Sequence, residues 1–231
     1  MRIPSFLPAI VAALALSCSS SSTTSPPGGS SGTTSTPRDG GITGDGGVST
    51  EVDLIVLPQA AFTGFDGVHP YKVPISVAGA ASDLTLTGDA AFVDIKRATS
   101  ALTGDEQWFL VAAKKAGKVT LVATSKGKKL EATLTIASYT PAQWTTGETR
   151  YKAAGAEPSC ASCHSKSDGP DHSPTSLSPI DDESAKLIIT TGVKGTIPIT
   201  SVKHKWTATP DELVGLVTYL RALPPKGITE K

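Results

Sequence analysis

The stretch Cys160-Ala-Ser-Cys163-His164 decides how the last third of this chain is interpreted. Two cysteine thiols at this spacing can add to the two vinyl groups of a haem and attach it through thioether bonds. The histidine that follows the second cysteine then lies beneath the iron and acts as its proximal ligand. The motif therefore predicts one covalent haem c, attached to Cys160 and Cys163, with His164 bound to the iron.

Three other kinds of site also use two cysteines at this spacing. A structural zinc site would need two more ligands, and His172 and His204 are the candidates, but they lie much farther apart than the second pair of a zinc motif does. A thioredoxin-like dithiol would be expected within a βαβ unit, and no such pattern surrounds the motif. A simple disulfide would leave His164 without a role. A haem therefore accounts for the motif best.

The residues that flank the motif predict helices. Thr209 is a candidate N-cap, Pro210 fits the first helical turn, and Glu212 can complete a capping box. An apolar stripe at helical spacing follows, formed by Leu213, Leu216, Val217 and Leu220. Pro224-Pro225 then ends the helix. Asp181-Asp-Glu183 and the apolar residues after it predict another short helix, which would pack over the haem.

Together with the haem motif, these helices resemble those of a class I cytochrome c. In that family an N-terminal helix with a glycine and an aromatic residue crosses a C-terminal helix that carries another aromatic residue. Gly147 and Tyr151 occupy the first two places here, Tyr219 occupies the third, and Gly215 would allow close approach. The resemblance covers residues 141–226 and implies a small all-α cytochrome c domain. It also implies single-electron transfer with redox partner proteins, without enzymatic catalysis.

The family's usual methionine ligand on the far side of the haem is missing, since Met1 is the one methionine of the chain. The corresponding loop before the last helix contains His204, and a neutral imidazole is a good iron ligand. We therefore predict that His164 and His204 are the two axial ligands. His172 is an alternative distal ligand. A third option is an open sixth site, as in a haem enzyme with peroxidase-like activity or in a ligand sensor.

Residues 51–138 show a different pattern, in which apolar residues alternate with other residues. Val73, Ile75 and Val77 form one such run, and turns that contain glycine separate it from the others. Several short strands at this spacing predict an antiparallel β-sandwich. The last two runs, within residues 116–136, resemble the final strands of bacterial immunoglobulin-like domains. We expect this domain to be a spacer or docking module without chemistry of its own.

Residues 1–18 resemble a bacterial lipoprotein signal. Arg2 precedes a short apolar stretch, and the segment ends at Ala15-Leu16-Ser17-Cys18. The apolar stretch is too short to span a membrane as a helix. In lipoproteins the signal is cleaved before the cysteine, which then carries lipid; the family's leucine three residues earlier is Ala15 here. The resemblance implies an exported lipoprotein, anchored by Cys18 in the outer membrane and facing the periplasm or the cell surface.

Residues 19–50 consist almost wholly of Ser, Thr, Gly, Pro and Asp. Such a segment cannot bury enough apolar area to offset its ordering entropy, so we predict a disordered tether. The whole chain has 21 basic and 21 acidic residues, and this neutral balance argues against nucleic-acid binding. The sequence therefore predicts a multi-domain protein: the disordered tether, an all-β immunoglobulin-like sandwich (residues 51–138) and a small all-α cytochrome c domain (residues 141–226).

Replacing Cys18 tests the predicted membrane anchor. In a bacterium that processes lipoproteins, the wild-type chain should incorporate a labelled fatty acid and sediment with the membrane fraction. Cys18→Ala should lose both the label and the sedimentation, because no other lipid attachment site is predicted. Ser19→Ala, beside the cleavage site, is the matched control and should behave as the wild type. A fatty-acid label on Cys18→Ala would contradict the prediction.

Overall fold

Strands form the first part of the structure, a computed structural model that describes residues 54–102, 104–154, 157–165, 170–199 and 204–231. The predicted lipid site, Cys18, and the predicted tether lie outside these residues. The strands form because runs rich in Val, Ile, Leu and Thr alternate with turn residues. They are β1 (Ile55–Leu57), β2 (Ala60–Phe65), β3 (Lys72–Ala78), β4 (Thr85–Thr87), β5 (Val93–Ser100), β6 (Gln107–Ala113), β7 (Gly117–Ser125) and β8 (Lys128–Ser138).

These strands form two sheets that pack face to face. One sheet has the order β1-β3-β6-β5 and gains a fifth strand, β11 (Ile228–Glu230), at the edge formed by β5. The other sheet has the order β2-β8-β7-β4. Neighbouring strands in both sheets are antiparallel, except that β2 and β8 are parallel. Because β2 and β3 lie in different sheets, the segment that connects these two strands passes from one sheet to the other.

The core between the two sheets is built from the inward side of each strand. Val73, Ile75 and Val77 of β3 are fully buried, as the alternation of side chains along a strand requires. Leu121 of β7 and Leu134 of β8, from the other sheet, belong to the same buried cluster. The two inward faces therefore share one hydrophobic core, and these strands lie where the alternation in the sequence predicts them.

Helices dominate the last part of the chain. They are α1 (Pro141–Lys152), α2 (Ala161–His164), α3 (Pro174–Leu177), α4 (Asp182–Thr191) and α5 (Pro210–Arg221). Capping boxes at Thr140 and Thr209 begin α1 and α5. A short hairpin, β9 (Val193–Lys194) with β10 (Ile197–Pro198), follows α4. Within the described part of the chain, no helix has the length and apolar character needed to cross a membrane.

Two glycines allow α1 and α5 to cross with their backbones in contact. A Cβ at Gly147 would lie 1.8 Å from the carbonyl oxygen of Gly215, and a Cβ at Gly215 would lie 2.8 Å from the backbone nitrogen of Gly147. A larger residue at either position would force the helices apart, because a packed interior has no room to absorb it. Tyr151 and Tyr219 are buried beside the crossing, with ring centroids 5.2 Å apart. The predicted helix crossing is therefore present.

The prediction of a multi-domain protein that ends in a small all-α cytochrome c domain was wrong. Strands account for 37% of the described residues and helices for 25%, and the region predicted to be all-α contains the hairpin of β9 and β10. Strand β11 follows that region and pairs with β5, so the end of the chain returns to the five-stranded sheet. All described residues fall in one compact unit. The alternation of apolar residues did not predict β11, because a strand of three residues is too short to show a period.

Arg221, the last residue of α5, ties the helices to the sheets. Its side chain is 2% exposed and donates hydrogen bonds to the carbonyl oxygens of Phe62 on β2 (3.2 Å) and Leu177 at the end of α3 (2.7 Å). It also donates to the carbonyl oxygen of Ile180. Two of its nitrogens donate to one carboxylate oxygen of Asp182, the first residue of α4, at 3.0 and 3.2 Å. One buried guanidinium therefore joins a strand and three helices through charge-assisted hydrogen bonds.

Replacing Arg221 tests this connection. Arg221→Met should lower the free energy of unfolding by about 3–5 kcal/mol, because it removes the buried cationic partner of Asp182, whose carboxylate keeps the Tyr139 hydroxyl, and takes one donor from each of three carbonyl groups. Lys152→Met, which removes an exposed ion pair between Lys152 and Glu148, is the control and should cost less than about 1 kcal/mol. Urea denaturation followed by circular dichroism measures both values. Similar losses in the two variants would show that Arg221 does not join the helices to the sheets.

Candidate functional site

The motif Cys160–His164 forms a single helical turn that includes α2. The carbonyl oxygen of Cys160 accepts hydrogen bonds from the backbone N–H groups of Cys163 (3.3 Å) and His164 (3.1 Å). Residues three and four positions apart lie on the same face of a helix, so the two thiols and the imidazole share one side of the turn. Neither thiol is in a disulfide, and all three side chains are partly buried. The turn therefore presents the three groups of the motif together.

His164 has the orientation and the protonation state of a metal ligand. Its Nδ1 lies 3.0 Å from the carbonyl oxygen of Pro170. Because a carbonyl group can only accept a hydrogen bond, Nδ1 carries the proton and Nε2 keeps its lone pair. Burial lowers the pKa of His164 and so favours the neutral imidazole, which is the form that binds metals. A backbone carbonyl in this position is a usual partner of a ligating histidine.

Two more histidines converge on His164. The ring of His172 stacks on the ring of His164, with centroids 3.2 Å apart and planes 17° apart. The ring of His204 approaches the ring of His164 edge-on, with centroids 6.2 Å apart and planes 84° apart. One nitrogen of each imidazole lies within 4.8 Å of the other two. The structure therefore brings both candidate distal ligands to the predicted proximal ligand.

Both of these histidines are poorly satisfied by the protein itself. The Nδ1 atoms of His172 and His204 are buried and have no hydrogen-bond partner among the described residues. Burial and the neighbouring imidazoles of His164 and His204 lower the pKa of His172 to about 3, and burial also lowers the pKa of His204. A buried polar atom without a partner costs about 1–3 kcal/mol. Binding of a metal or another ligand to these neutral imidazoles would offset that cost.

The end of α4 fixes the backbone at His204. Gly192 ends the helix in the left-handed region (φ 69°), and a Cβ at this position would lie 2.0 Å from the carbonyl oxygen of His204. The backbone N–H of Trp206 donates to the carbonyl oxygen of Ile189 (3.0 Å), and its indole N–H donates to that of Pro158 (3.1 Å). These contacts hold the segment that carries His204 against α4 and against the residues that precede the motif.

A cavity opens beside the three histidines. Cys160 lines it together with His164, His172 and His204, whereas Cys163 does not. The other lining residues come from α1, α3, α4, α5 and the loop before α5: Tyr151, Leu177, Ala185, Ile188, Ile189, Trp206, Leu216 and Leu220. Most of these side chains are apolar, so the cavity favours a ligand with a large apolar surface.

The residues present fit a haem. Its ring needs an apolar cavity and its iron needs imidazole nitrogens, and the site has both. Its covalent attachment needs two thiols; Cys160 lines the cavity, and Cys163 lies three residues further along the same helical turn. Three imidazole nitrogens within 4.8 Å of one another are also the kind of donor set that Zn²⁺ or Cu²⁺ binds. The zinc set considered from the sequence, which combined both cysteines with His172 and His204, does not come together. Among the described residues, the clustered ligands are the three histidines alone.

Sequence reasoning missed two residues that position the site. No role was predicted for Pro170, because its contribution is a backbone carbonyl and leaves no mark on the sequence. Gly192 could have been found, since a glycine that follows a helical pattern is a common C-cap. The fourth histidine, His69, stacks on Trp144 with ring centroids 3.9 Å apart and does not line the cavity.

Comparison with known proteins does not assign the chain to a family. The chain matches no protein-family profile, and no curated protein is significantly similar to it. The resemblances to class I cytochromes c and to bacterial lipoproteins therefore rest on the motifs quoted above, and a function has to be argued from the site.

A pair of glycine substitutions tests the packing that holds His204. Gly192 and Gly195 both have left-handed backbones, with φ of 69° and 63°, so alanine at either position costs about 1–2 kcal/mol of backbone strain. Only at Gly192 would the new Cβ also meet another group, the His204 carbonyl; at Gly195 nothing lies within 4 Å. Gly192→Ala should therefore lower the free energy of unfolding, measured in urea, by more than Gly195→Ala does. Equal losses would contradict this packing.

Proposed function

We propose that this chain is a c-type cytochrome lipoprotein that transfers single electrons through one haem, attached to Cys160 and Cys163. The observation that carries the proposal is the apolar cavity that opens from the Cys160–His164 turn onto three neutral imidazoles. When bound, the haem supplies an iron that exchanges one electron at a time, with a potential set by its ligands and surroundings. That exchange needs no side chain to act as acid, base or nucleophile, so we propose no enzymatic step.

The residues of the chain would hold the haem and shield it. Cys160 and Cys163 would attach its edge from one helical turn, which fixes the haem against α2. His164, oriented by the carbonyl of Pro170, would bind one face of the iron, and His204 would bind the other. The apolar side chains of α4 and α5 would exclude water from the iron. Excluding water lowers the local dielectric constant, which in turn influences the redox potential of the iron.

The proposed location at a membrane rests on the resemblance of residues 1–18 to a lipoprotein signal. Cys18 would hold the chain at the outer membrane, facing the periplasm or the cell surface. The tether of residues 19–50 would give the folded unit a reach on the order of 30 Å. This arrangement suits a redox partner protein that works near the same membrane. The neutral charge balance makes nucleic acid an unsuitable partner.

The cluster of three imidazoles favours a second candidate, a single transition-metal ion bound without haem. Three histidine ligands with an open fourth position are a usual arrangement of catalytic zinc. However, the rings of His164 and His172 are stacked nearly parallel, and parallel rings do not point their lone pairs at one common ion. The thiols of Cys160 and Cys163 would also have no role in such a site. We prefer the haem for both reasons.

The decisive experiment is expression of the full chain together with a haem-attachment system, followed by a haem-stained denaturing gel. The wild-type chain should carry the stain, because thioether bonds survive denaturation. A variant with both Cys160→Ser and Cys163→Ser should lose it, because no thiol of the motif remains. Ser162→Ala, between the two cysteines, is the matched control and should keep it.

Two further measurements on the purified wild-type chain separate the alternatives. Metal analysis that finds one zinc or copper ion and no haem would support the metal-ion site and refute the haem proposal. Carbon monoxide binding distinguishes a haem with two axial histidines, which should resist the gas, from a haem with an open sixth site, which should bind it readily. Ready binding would favour the haem enzyme or ligand sensor over the electron carrier.

A further inference from the structure

Three histidines approach the proposed haem site, but the iron of a haem has only two axial positions. An imidazole nitrogen lies about 2 Å from a metal that it binds, so two axial nitrogens lie about 4 Å apart, on opposite faces of the haem. The placement of His172 and His204 relative to His164 therefore decides which of them can occupy the second position.

His204 has the relation to His164 that two axial ligands require. Their ring centroids are 6.2 Å apart, their ring planes are 84° apart, and a nitrogen of each lies within 4.8 Å of a nitrogen of the other, which is the separation that an iron between the two rings would need. The backbone of His204 is packed on Gly192, and the two hydrogen bonds of Trp206 hold the segment that follows it. The position of His204 is therefore fixed by contacts that do not involve His172.

His172 has a different relation to His164. Its ring lies flat on that of His164, at 3.2 Å and 17°. An axial imidazole stands upright on a haem, so a ring that lies against its face stays on the same side of the haem. The loop of His172 is also held in place: the Asp171 carboxylate accepts hydrogen bonds from the backbone N–H of Ser173 (2.8 Å) and from the hydroxyls of Ser173 and Ser176 (3.0 Å each). His172 would have to leave this position to reach the opposite face.

We infer that His204 is the distal ligand and that His172 is a positioning residue for the proximal ligand, His164. His172 covers one face of the His164 ring, and the carbonyl oxygen of Pro170 accepts a hydrogen bond from the Nδ1–H of His164. These two contacts fix the orientation of the His164 ring, close to a right angle to the His204 ring, and would hold that orientation when a haem is bound. The inference rests on the proposed haem and goes beyond it by giving the third histidine a role.

Perpendicular imidazole planes have a spectroscopic signature. Each axial imidazole donates π electrons into the iron d orbital that lies at right angles to its ring plane. Two parallel rings raise the same orbital and split the pair, whereas two perpendicular rings leave both orbitals nearly equal in energy. Oxidised low-spin iron then keeps much of its orbital angular momentum. It gives one very anisotropic electron spin resonance signal instead of a rhombic signal with three resolved features.

The test compares low-temperature electron spin resonance spectra of the oxidised, full-length holoprotein and its variants. The wild type should give the single anisotropic low-spin signal. His172→Phe keeps a flat ring against His164 and should keep that signal, whereas His172→Ala frees the His164 ring to turn and should give a rhombic low-spin signal. His204→Ala should lose the low-spin signal and become high-spin. His69→Ala removes a histidine that stacks on Trp144 outside the cavity, and it should match the wild type.

Each contrary result has a distinct meaning. A rhombic spectrum from the wild type, or an unchanged spectrum from His172→Ala, would overturn the positioning role. A high-spin spectrum from His172→Phe would make His172 itself the distal ligand, and this result stands even where His172→Ala folds poorly. Low-spin iron retained in His204→Ala would overturn the assignment of His204. Haem-stained gels of the same samples identify failure of the proposed function, because the wild-type chain would then carry no covalent haem.

Discussion

The buried guanidinium of Arg221 is the constraint on which the placement of the helices depends. A charge with 2% exposure is costly unless its donors are paired. Its acceptors are one carboxylate oxygen and three carbonyl oxygens. These groups lie on β2, at the end of α3, between α3 and α4, and at the start of α4. They surround the guanidinium only when the helices are docked on the sheet, so partial docking would leave a buried charge unpaired. The interaction therefore favours one arrangement of helices and sheet over looser ones.

The same residue also positions the walls of the candidate site. Arg221 directly follows Leu220, which lines the cavity, and one of its acceptors, Leu177, lines the cavity as well. Another acceptor, Asp182, begins α4, and Ile188 of that helix lines the cavity too. One hydrogen-bonded centre therefore sets the separation of α3, α4 and α5 around the site. A change that moved Arg221 would alter the cavity without touching any of the histidines.

What could be predicted from the sequence was local. The capping box at Thr209 depends on residues within one helical turn, and the structure confirms it. The Cys160–His164 motif also lies within one turn, and its role in haem attachment stays a prediction. The docking of helices on the sheet depends on Arg221, whose hydrogen bond to Phe62 spans most of the described chain and leaves no periodic signal. His204 was predicted as a ligand because few histidines follow the motif, and the structure places it beside His164. The angle of its ring could not be predicted, because it depends on backbone packing at Gly192.

The helical part depends on its proposed cofactor more than the sheets do. Its buried apolar cluster contains four residues, Tyr151, Leu216, Tyr219 and Leu220, whereas the cluster between the sheets contains sixteen. The Nδ1 atoms of His172 and His204 are buried and have no partner among the described residues, and each costs about 1–3 kcal/mol unless a ligand or water binds it. A group that binds these imidazoles and fills the cavity stabilises the folded state by mass action. Because Arg221 couples the helices to the sheet, that stabilisation would extend beyond the site, and the proposed haem would then contribute to the fold as well as to the chemistry.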